Sequence, residues 1–480
     1  MEKILSFIII ALSLFVSIAS YAEIKPLRIP LHAAKITLDP SGIQDLSSLF
    51  VSRQVNCQLV RSYGSVISLE AAQSIHFITP TKILITVKNG MTFHDGSPVT
   101  ANDVVASLNH LKKSRHTLRN IFNWIKQIEI LNQRQISITL IKPVPQFLNV
   151  LSSPNYAIFK KEFLANAKNN SDLWRFPLGC GKYKVNESSD RVVKLTPAHH
   201  GKSIEFYLNK DDQVISSSID NYDIVDLHIV GKPGNLAHYR SIELFDPTQI
   251  YLGLNTQSNH WKKREDRCSF FAKLDATKVI KQYAGLAKPA ADILPEGVLG
   301  YRSSLPTLQK LKKQFALINT AKINQFCLSY LTVSVPKEYR AEYQHMIERL
   351  YPNVRTTEIT NNKRFGIDFI NSQCDALIAG IKSNTLDGYD LLAIFSLPDP
   401  NFTGYIDKKI TKEIEGSQNE SDPKSRVLMY RHIVNEIEES CVIHPILTIP
   451  MKLVFIRKEL HTPNIGKGPF NEYDLSEVYD

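Results

Sequence analysis

The stretch that decides the fold is Lys88-Asn89-Gly90-Met91-Thr92-Phe93-His94-Asp95-Gly96-Ser97-Pro98-Val99-Thr100-Ala101-Asn102-Asp103-Val104-Val105-Ala106-Ser107-Leu108. It follows the β-branched run Lys82–Lys88, which reads as a strand. His94-Asp95-Gly96 has the chemistry of a turn, Asp for local hydrogen bonding and Gly for positive φ, and Pro98 stiffens the exit. Thr100 then offers an N-cap hydroxyl with Asp103 three residues on, a capping box with Asp in place of the usual Glu. Val104, Val105 and Leu108 share a face beyond it, so the spacing predicts a helix over Ala101–Lys112. Every polar residue here has a local structural task, so none is read as catalytic.

Outward from this segment the chain alternates strands and helices without a repeat. Strands are expected at Gln135–Ile141, Arg191–Thr196, Ile204–Leu208, Asp223–Val230, Ile250–Asn255, Phe326–Val335 and Pro450–Ile456. Helices are expected at Cys268–Gln282, Lys337–Tyr351 and Pro423–Glu439. The 480 residues are 43% hydrophobic and 22% charged, which supplies a core for several domains and excludes disorder. Lys+Arg 57 against Asp+Glu 47 gives +10, spread along the chain rather than gathered into a patch, and nucleic acid is not expected as a partner.

The first 22 residues follow another logic. Lys3 gives a basic start, Ile4 to Ala19 is almost continuously apolar, and Ser20-Tyr21-Ala22 puts small residues at the positions a signal peptidase reads. A cleaved signal peptide ending at Ala22 is expected, the alternative being a retained anchor. The exported protein would begin at Glu23 and be periplasmic. All six cysteines (Cys57, Cys180, Cys268, Cys327, Cys374, Cys441) lie beyond that point. In an oxidising compartment disulfides are possible, yet fifteen complete pairings remain open and ordinary buried thiols remain an alternative.

Catalytic signatures are missing: no HExxH, no GxSxG, no P-loop and no GxGxxG opening a helix. His199-His200 reads as a solvated turn after Pro197, and no Cys/His spacing suggests zinc. No cofactor, metal or enzymatic activity is expected, and the chain leans towards binding.

The 88–108 segment closely resembles the hallmark of family 5 extracellular solute-binding proteins, the periplasmic receptors of ABC importers for oligopeptides, dipeptides, nickel complexes and related solutes. The pattern basic-x-Gly-x-x-Phe-His-Asp-Gly-x-Pro-x-Thr-Ala-x-Asp-Val is complete here. Pro177-Leu178-Gly179-Cys180-Gly181-Lys182-Tyr183 is similar to the family's Pro-x-Gly-Thr-Gly-Pro-Tyr, departing at Cys180 and Lys182. Tyr251-Leu252-Gly253-Leu254-Asn255 and Arg267 to Asp275 resemble the strand and helix that come next.

The resemblance implies an α/β, bilobal periplasmic-binding-protein fold (type II, cluster C-like) with an inserted subdomain and two hinge crossings. Expected divisions are a first lobe over 23–250 carrying the insert at about 46–175, a second lobe over 251–454, and a return to the first lobe over 455–480. The crossings are placed near Tyr251–Thr256 and Ile446–Val454. A receptor of this kind would act as a monomer, close on a peptide and present it to permease subunits; a nickel chelate, haem or small metabolite is the alternative cargo, and an exported hydrolase is disfavoured by the missing motifs.

For the ligand, the resemblance points to Ser383-Asn384-Thr385-Leu386-Asp387-Gly388-Tyr389-Asp390. In peptide-binding members the matching stretch reads Gly-Trp-x-x-Asp-x-x-Asp-Pro, so by register Asp387 would meet a peptide's α-ammonium group and Asp390 would shape the loop. Asn384 stands where the tryptophan would, and Leu391 replaces the proline. Arg364 and Lys382 are the nearby cations for a peptide carboxylate. The plain alternative is that Asp387 caps a turn beside Gly388.

Overall fold

The computed structural model describes residues 25–479 apart from 44, 64–65, 115–120, 210–216, 228–235, 284–286, 305, 319–322, 333, 336, 361–363, 384–385, 397–400, 421 and 463–474. The signal segment and its cleavage point lie outside the described residues.

Alternation of apolar and polar residues builds the first sheets. In the strand Lys82–Val87, Ile83, Ile85 and Val87 are fully buried while Lys82 faces solvent, and in Gln135–Leu140 the buried apolar residues are Ile136, Ile138 and Leu140, with Ser137 buried between the first two. These two strands pair antiparallel at the centre of a four-stranded sheet whose edges are Ala72–Thr79 and Ile125–Ile130. The helix Ala101–Lys112 lays Val104, Leu108 and Leu111 on that sheet's inner face. This core draws its residues from Cys57 to Ile158. A smaller cluster of Phe159, Phe163, Leu164 and Trp174 packs beside it.

A second four-stranded sheet orders Leu27–His32, Ile204–Asn209, Val192–Pro197 and Tyr183–Ser188, its first pair parallel. Its core gathers Leu27, Ile29, Phe206 and Tyr183 with Ile224, Leu244, Val454, Ile456, Leu475 and Val478, so residues from both chain ends close one lobe. Helix Leu46–Val55 buries Val51 and Val55 in this core, although the sequence expectation assigned it to the insert.

The other lobe is built on a seven-stranded sheet. Its apolar faces are covered by two clusters, one rich in aromatic side chains (Trp261, Phe270, Phe271, Phe326, Tyr343) and one centred on Leu377, Leu392, Phe402, Tyr430 and Val434. Each such side chain taken fully out of water stabilises by about 1.5–3 kcal/mol.

Two long strands join the lobes. Tyr239–Leu254 and Ile443–Arg457 run antiparallel, with Leu244, Val454 and Ile456 in the first-lobe core and Ile250, Leu252, Ile446 and Leu447 in the second. Their ladder is regular to Phe245↔Met451 and resumes at Thr248↔Ile449. The first crossing therefore lies at Phe245–Thr248, ahead of the Tyr251–Thr256 expected from the sequence, because Tyr251 to Leu254 are already buried in second-lobe packing.

The expected single helix over Cys268–Gln282 is two helices, Arg264–Lys273 and Thr277–Gln282. Leu274 turns extended, and Asp275 accepts from the Thr277 N–H at 3.0 Å, a local bond that competes with helix continuation. All six cysteines are paired: Cys57–Cys180, Cys268–Cys441 and Cys327–Cys374.

Candidate functional site

Asp95 accepts from the Ser97 N–H at 3.0 Å and Gly96 takes φ 83°, making the tight turn its residue types demand. The Lys160 ammonium at 2.8 Å, then the Ser97 bonds, hold the Asp95 carboxyl well below the usual carboxylate range. Asp103 Oδ2 accepts from the Thr100 N–H at 2.9 Å and hydroxyl at 2.6 Å, while Oδ1 accepts from the Lys161 N–H at 2.9 Å. One buried carboxylate thus starts two helices.

The second motif docks on the first. The His94 N–H donates to the Gly179 carbonyl at 3.0 Å and its ring lies 3.1 Å from the Gly181 carbonyl. Gly181 is required by close approach: a Cβ there would sit 2.4 Å from the Val55 carbonyl carbon and 2.5 Å from the Gln54 oxygen. Cys180, one departure from the family pattern, is bonded to Cys57, and Lys182, the other, donates to the Ser476 hydroxyl at 3.1 Å. Both departures tether the loop to neighbouring segments.

The binding candidate lies in the other lobe. Strands Phe326–Leu331, Val354–Ile359 and Ala376–Lys382 run parallel, so their carboxyl ends open on one edge of the sheet. That edge is where open α/β sheets place ligands. It adjoins the crossing, for Lys382 pairs with Thr248 and the Ser383 N–H donates to the Pro247 carbonyl at 3.3 Å. Four of the expected residues follow the carboxyl ends of these strands, Arg364 after Val354–Ile359 and the other three at or after the end of Ala376–Lys382. Arg364 is exposed at the start of helix Phe365–Asn371, Lys382 is half-buried at a strand end, and Asp387 and Asp390 follow it. Asn384 lies outside the described residues.

Asp387 is 6% exposed, in a cage of donors. The Arg426 Nη2 donates to Oδ2 at 2.7 Å, the Tyr389 N–H donates to Oδ1 at 3.0 Å, and the Tyr430 hydroxyl donates to the same oxygen. Arg426 and Tyr430, four apart, share a face of helix Pro423–Ser440, which Asp422 caps through the Ser425 N–H at 2.8 Å. Burial, then the Asp387 charge, pushes the Tyr430 hydroxyl far above its ordinary value, so it stays a donor. Gly388 lets the loop approach: a Cβ would lie 2.7 Å from the Leu299 carbonyl oxygen and 2.9 Å from the Tyr430 ring.

Asp390 is half-buried in the first turn of helix Tyr389–Leu392 and accepts from the Ser383 hydroxyl at 3.2 Å. The sequence reading missed Arg426 and Tyr430. Their i,i+4 spacing was visible, but nothing local to residue 387 points 39 positions along the chain. Among the described residues no group of three or more His, Cys, Asp or Glu could hold a metal ion, and no helix is long and apolar enough to cross a membrane.

Comparison with known proteins adds an independent line. The family model described as bacterial extracellular solute-binding proteins, family 5 Middle, matches residues 79–325, just over half of the 480-residue chain. The glutathione-binding protein GsiB of Salmonella typhimurium is 27% identical over 248 residues, 46% of this chain and 46% of its own length. The chain thus spans about half the length of the curated relatives it matches. Among solved structures, a dipeptide-binding protein from Pseudoalteromonas in complex with Met-Leu superposes with TM-score 0.78 at 16% identity, covering 95% of this chain and 100% of its own. The periplasmic binding protein DppA from Helicobacter pylori, in complex with a peptide, gives TM-score 0.75 at 18% identity, covering 95% and 98%. At such identities the superpositions establish the bilobal fold.

Proposed function

The chain belongs to family 5 of the bacterial extracellular solute-binding proteins, and we propose that it is the peptide receptor of an ABC importer: exported through a signal peptide cut after Ala22, working as a monomer in the periplasm, and handing its cargo to permease subunits. The observation that carries the reading is the 79–325 family match. The fold supports it, since the parallel-strand edge of one lobe sits beside the crossing to the other, where hinge closure would bury a ligand. The glutathione and dipeptide named for its relatives are peptides, which favours a peptide over a nickel chelate or haem.

Peptide recognition needs a carboxylate for the ammonium end and a cation for the carboxylate end, each desolvated on closure. The 387–390 segment supplies Asp387 and Asp390, Lys382 ends the strand that leads into it, and Arg364 starts the helix that comes after strand Val354–Ile359. An ammonium reaching Asp387 would compete with the Arg426 guanidinium for the same oxygens, so Asp390, at the mouth of the same loop, is the second candidate for that contact. N-acetylated peptide separates the two: the Asp→Asn variant that stops discriminating free from acetylated peptide marks the ammonium site.

The test is native mass spectrometry of protein purified from the periplasm, which reads any co-purifying ligand by mass, followed by thermal shift. A peptide at 100-fold its dissociation constant should add about 2.7 kcal/mol of stability. No shift with a peptide library but a shift with a nickel chelate would remove the peptide assignment and leave the family intact. N-terminal sequencing should begin at Glu23.

A further inference from the structure

A buried polar pair sits at the hinge with no part in the site described above. Gln249 is fully buried and Thr448 is 7% exposed, and they face each other across the two joining strands, one position beyond the Thr248↔Ile449 pair where the ladder resumes. The Thr448 hydroxyl donates to Gln249 Oε1 at 2.8 Å. Gln249 Nε2 donates to two successive carbonyls, Asp292 at 2.7 Å and Ile293 at 2.8 Å. A side-chain amide has two N–H donors and one carbonyl, and here all are used.

The segment it grips is continuous with the candidate site. Residues 288–289 pair with the crossing strand at Thr448 and Leu447, and Asp292 and Ile293 follow over Gln249. Tyr251 reinforces the hold through its hydroxyl on the Ile293 carbonyl at 2.6 Å. Further on, the Leu299 N–H donates to the Leu386 carbonyl at 2.9 Å and Leu299 forms a parallel bridge with Asp387. Arg302 closes the segment, binding Asp292 at 2.7 Å and Glu438 at 2.7 Å, so its far end is fixed to the same helix that carries Arg426 and Tyr430.

We propose that the Gln249–Thr448 pair couples the hinge strands to the Asp387 loop, Gln249 acting as a positioning residue that makes lobe angle and loop geometry one variable. The physical reason is the cost of a buried amide without partners: any twist of the strands at residues 245–248 that displaces Gln249 must carry the 292–293 carbonyls with it or leave them and the amide unpaired. The carbonyls are tethered through Leu299 to Leu386 and Asp387, so the displacement reaches the candidate binding loop. A ligand that fixes the loop would, by the same linkage, bias the hinge.

The test uses the unliganded, disulfide-intact protein, so failure to bind peptide would not bear on it and its failure would not bear on the peptide reading. Gln249→Met keeps the side-chain volume and removes the three bonds; Thr448→Val removes one and is read in the same way should Gln249→Met not fold. Hydrogen exchange and spin-label distances between Ile141→Cys in the insert and Leu317→Cys in the second lobe, both exposed positions, are measured together. Coupling predicts that the Leu299 and Asp390 amides exchange roughly tenfold faster in Gln249→Met while those of strand Phe326–Leu331 are unchanged, and that the inter-lobe distance distribution broadens. Exchange rising evenly across the second lobe would show a mere packing role, and an unchanged distance distribution would show that the hinge does not sense the pair. Either result overturns the proposal.

Discussion

Replacing Asp387 by Asn removes one charge from a pair in which both side chains are about nine-tenths buried, at 8% and 10% exposure. The Arg426 guanidinium, 2.7 Å away, would keep its charge and lose its counter-ion, while the Tyr430 hydroxyl would face an amide. Breaking a buried pair by removing one partner costs about 3–5 kcal/mol, since the remaining charge is desolvated without compensation. We expect a loss of that size in unfolding free energy for Asp387→Asn, measured by urea denaturation followed by circular dichroism in oxidising buffer. Arg426→Met in the same background should recover part of it, the double variant costing about 1–3 kcal/mol less than the two singles summed. A single variant within about 0.5 kcal/mol of the natural protein would refute the cage as the clamp between helix Pro423–Ser440 and the 386–390 loop.

Two further outcomes are expected. Reduction should lower stability by about 4–5 kcal/mol per bridge on the loop-entropy estimate for separations of 47 to 173 residues, and non-reducing peptide mapping should recover Cys57–Cys180, Cys268–Cys441 and Cys327–Cys374 and no other pair. Asp39 gives an acid-side prediction: burial pushes its carboxyl up, but the bonds from His110 at 3.0 Å and from Ser41 outweigh this and hold it below the ordinary 3.8. A lowered folded value contributes stability that is complete above the ordinary value and drains as pH falls through the folded one, so Asp39→Asn should flatten the acid limb of an unfolding titration below about pH 4 and leave the neutral region's slope alone.

The parts of this chain legible in the sequence are those made by neighbours. The turn at His94–Gly96 and the Thr100–Asp103 cap involve residues within three positions of each other, and the helix Ala101–Lys112 lies where they put it. The inward residues of Lys82–Val87 alternate because one face of that sheet meets water. The family resemblance was carried by these same local features, and it extended to the bilobal fold.

What only the tertiary structure decided is what joins distant residues. Strand Ala376–Lys382 escaped notice because Ala376 to Ala379 are all buried, with packing on both faces and no alternation to read. Fifteen disulfide pairings were open on composition, and three bonds spanning 47 to 173 residues followed once the sheets had set which loops meet. The Asp387 register was visible as a turn beside Gly388, yet its partners Arg426 and Tyr430 arrive on a helix from 39 and 43 residues away. A residue's neighbours along the chain are fixed by the chain itself, whereas its neighbours across a core depend on how buried sheet faces stack, and that is settled only when the whole apolar surface is removed from water.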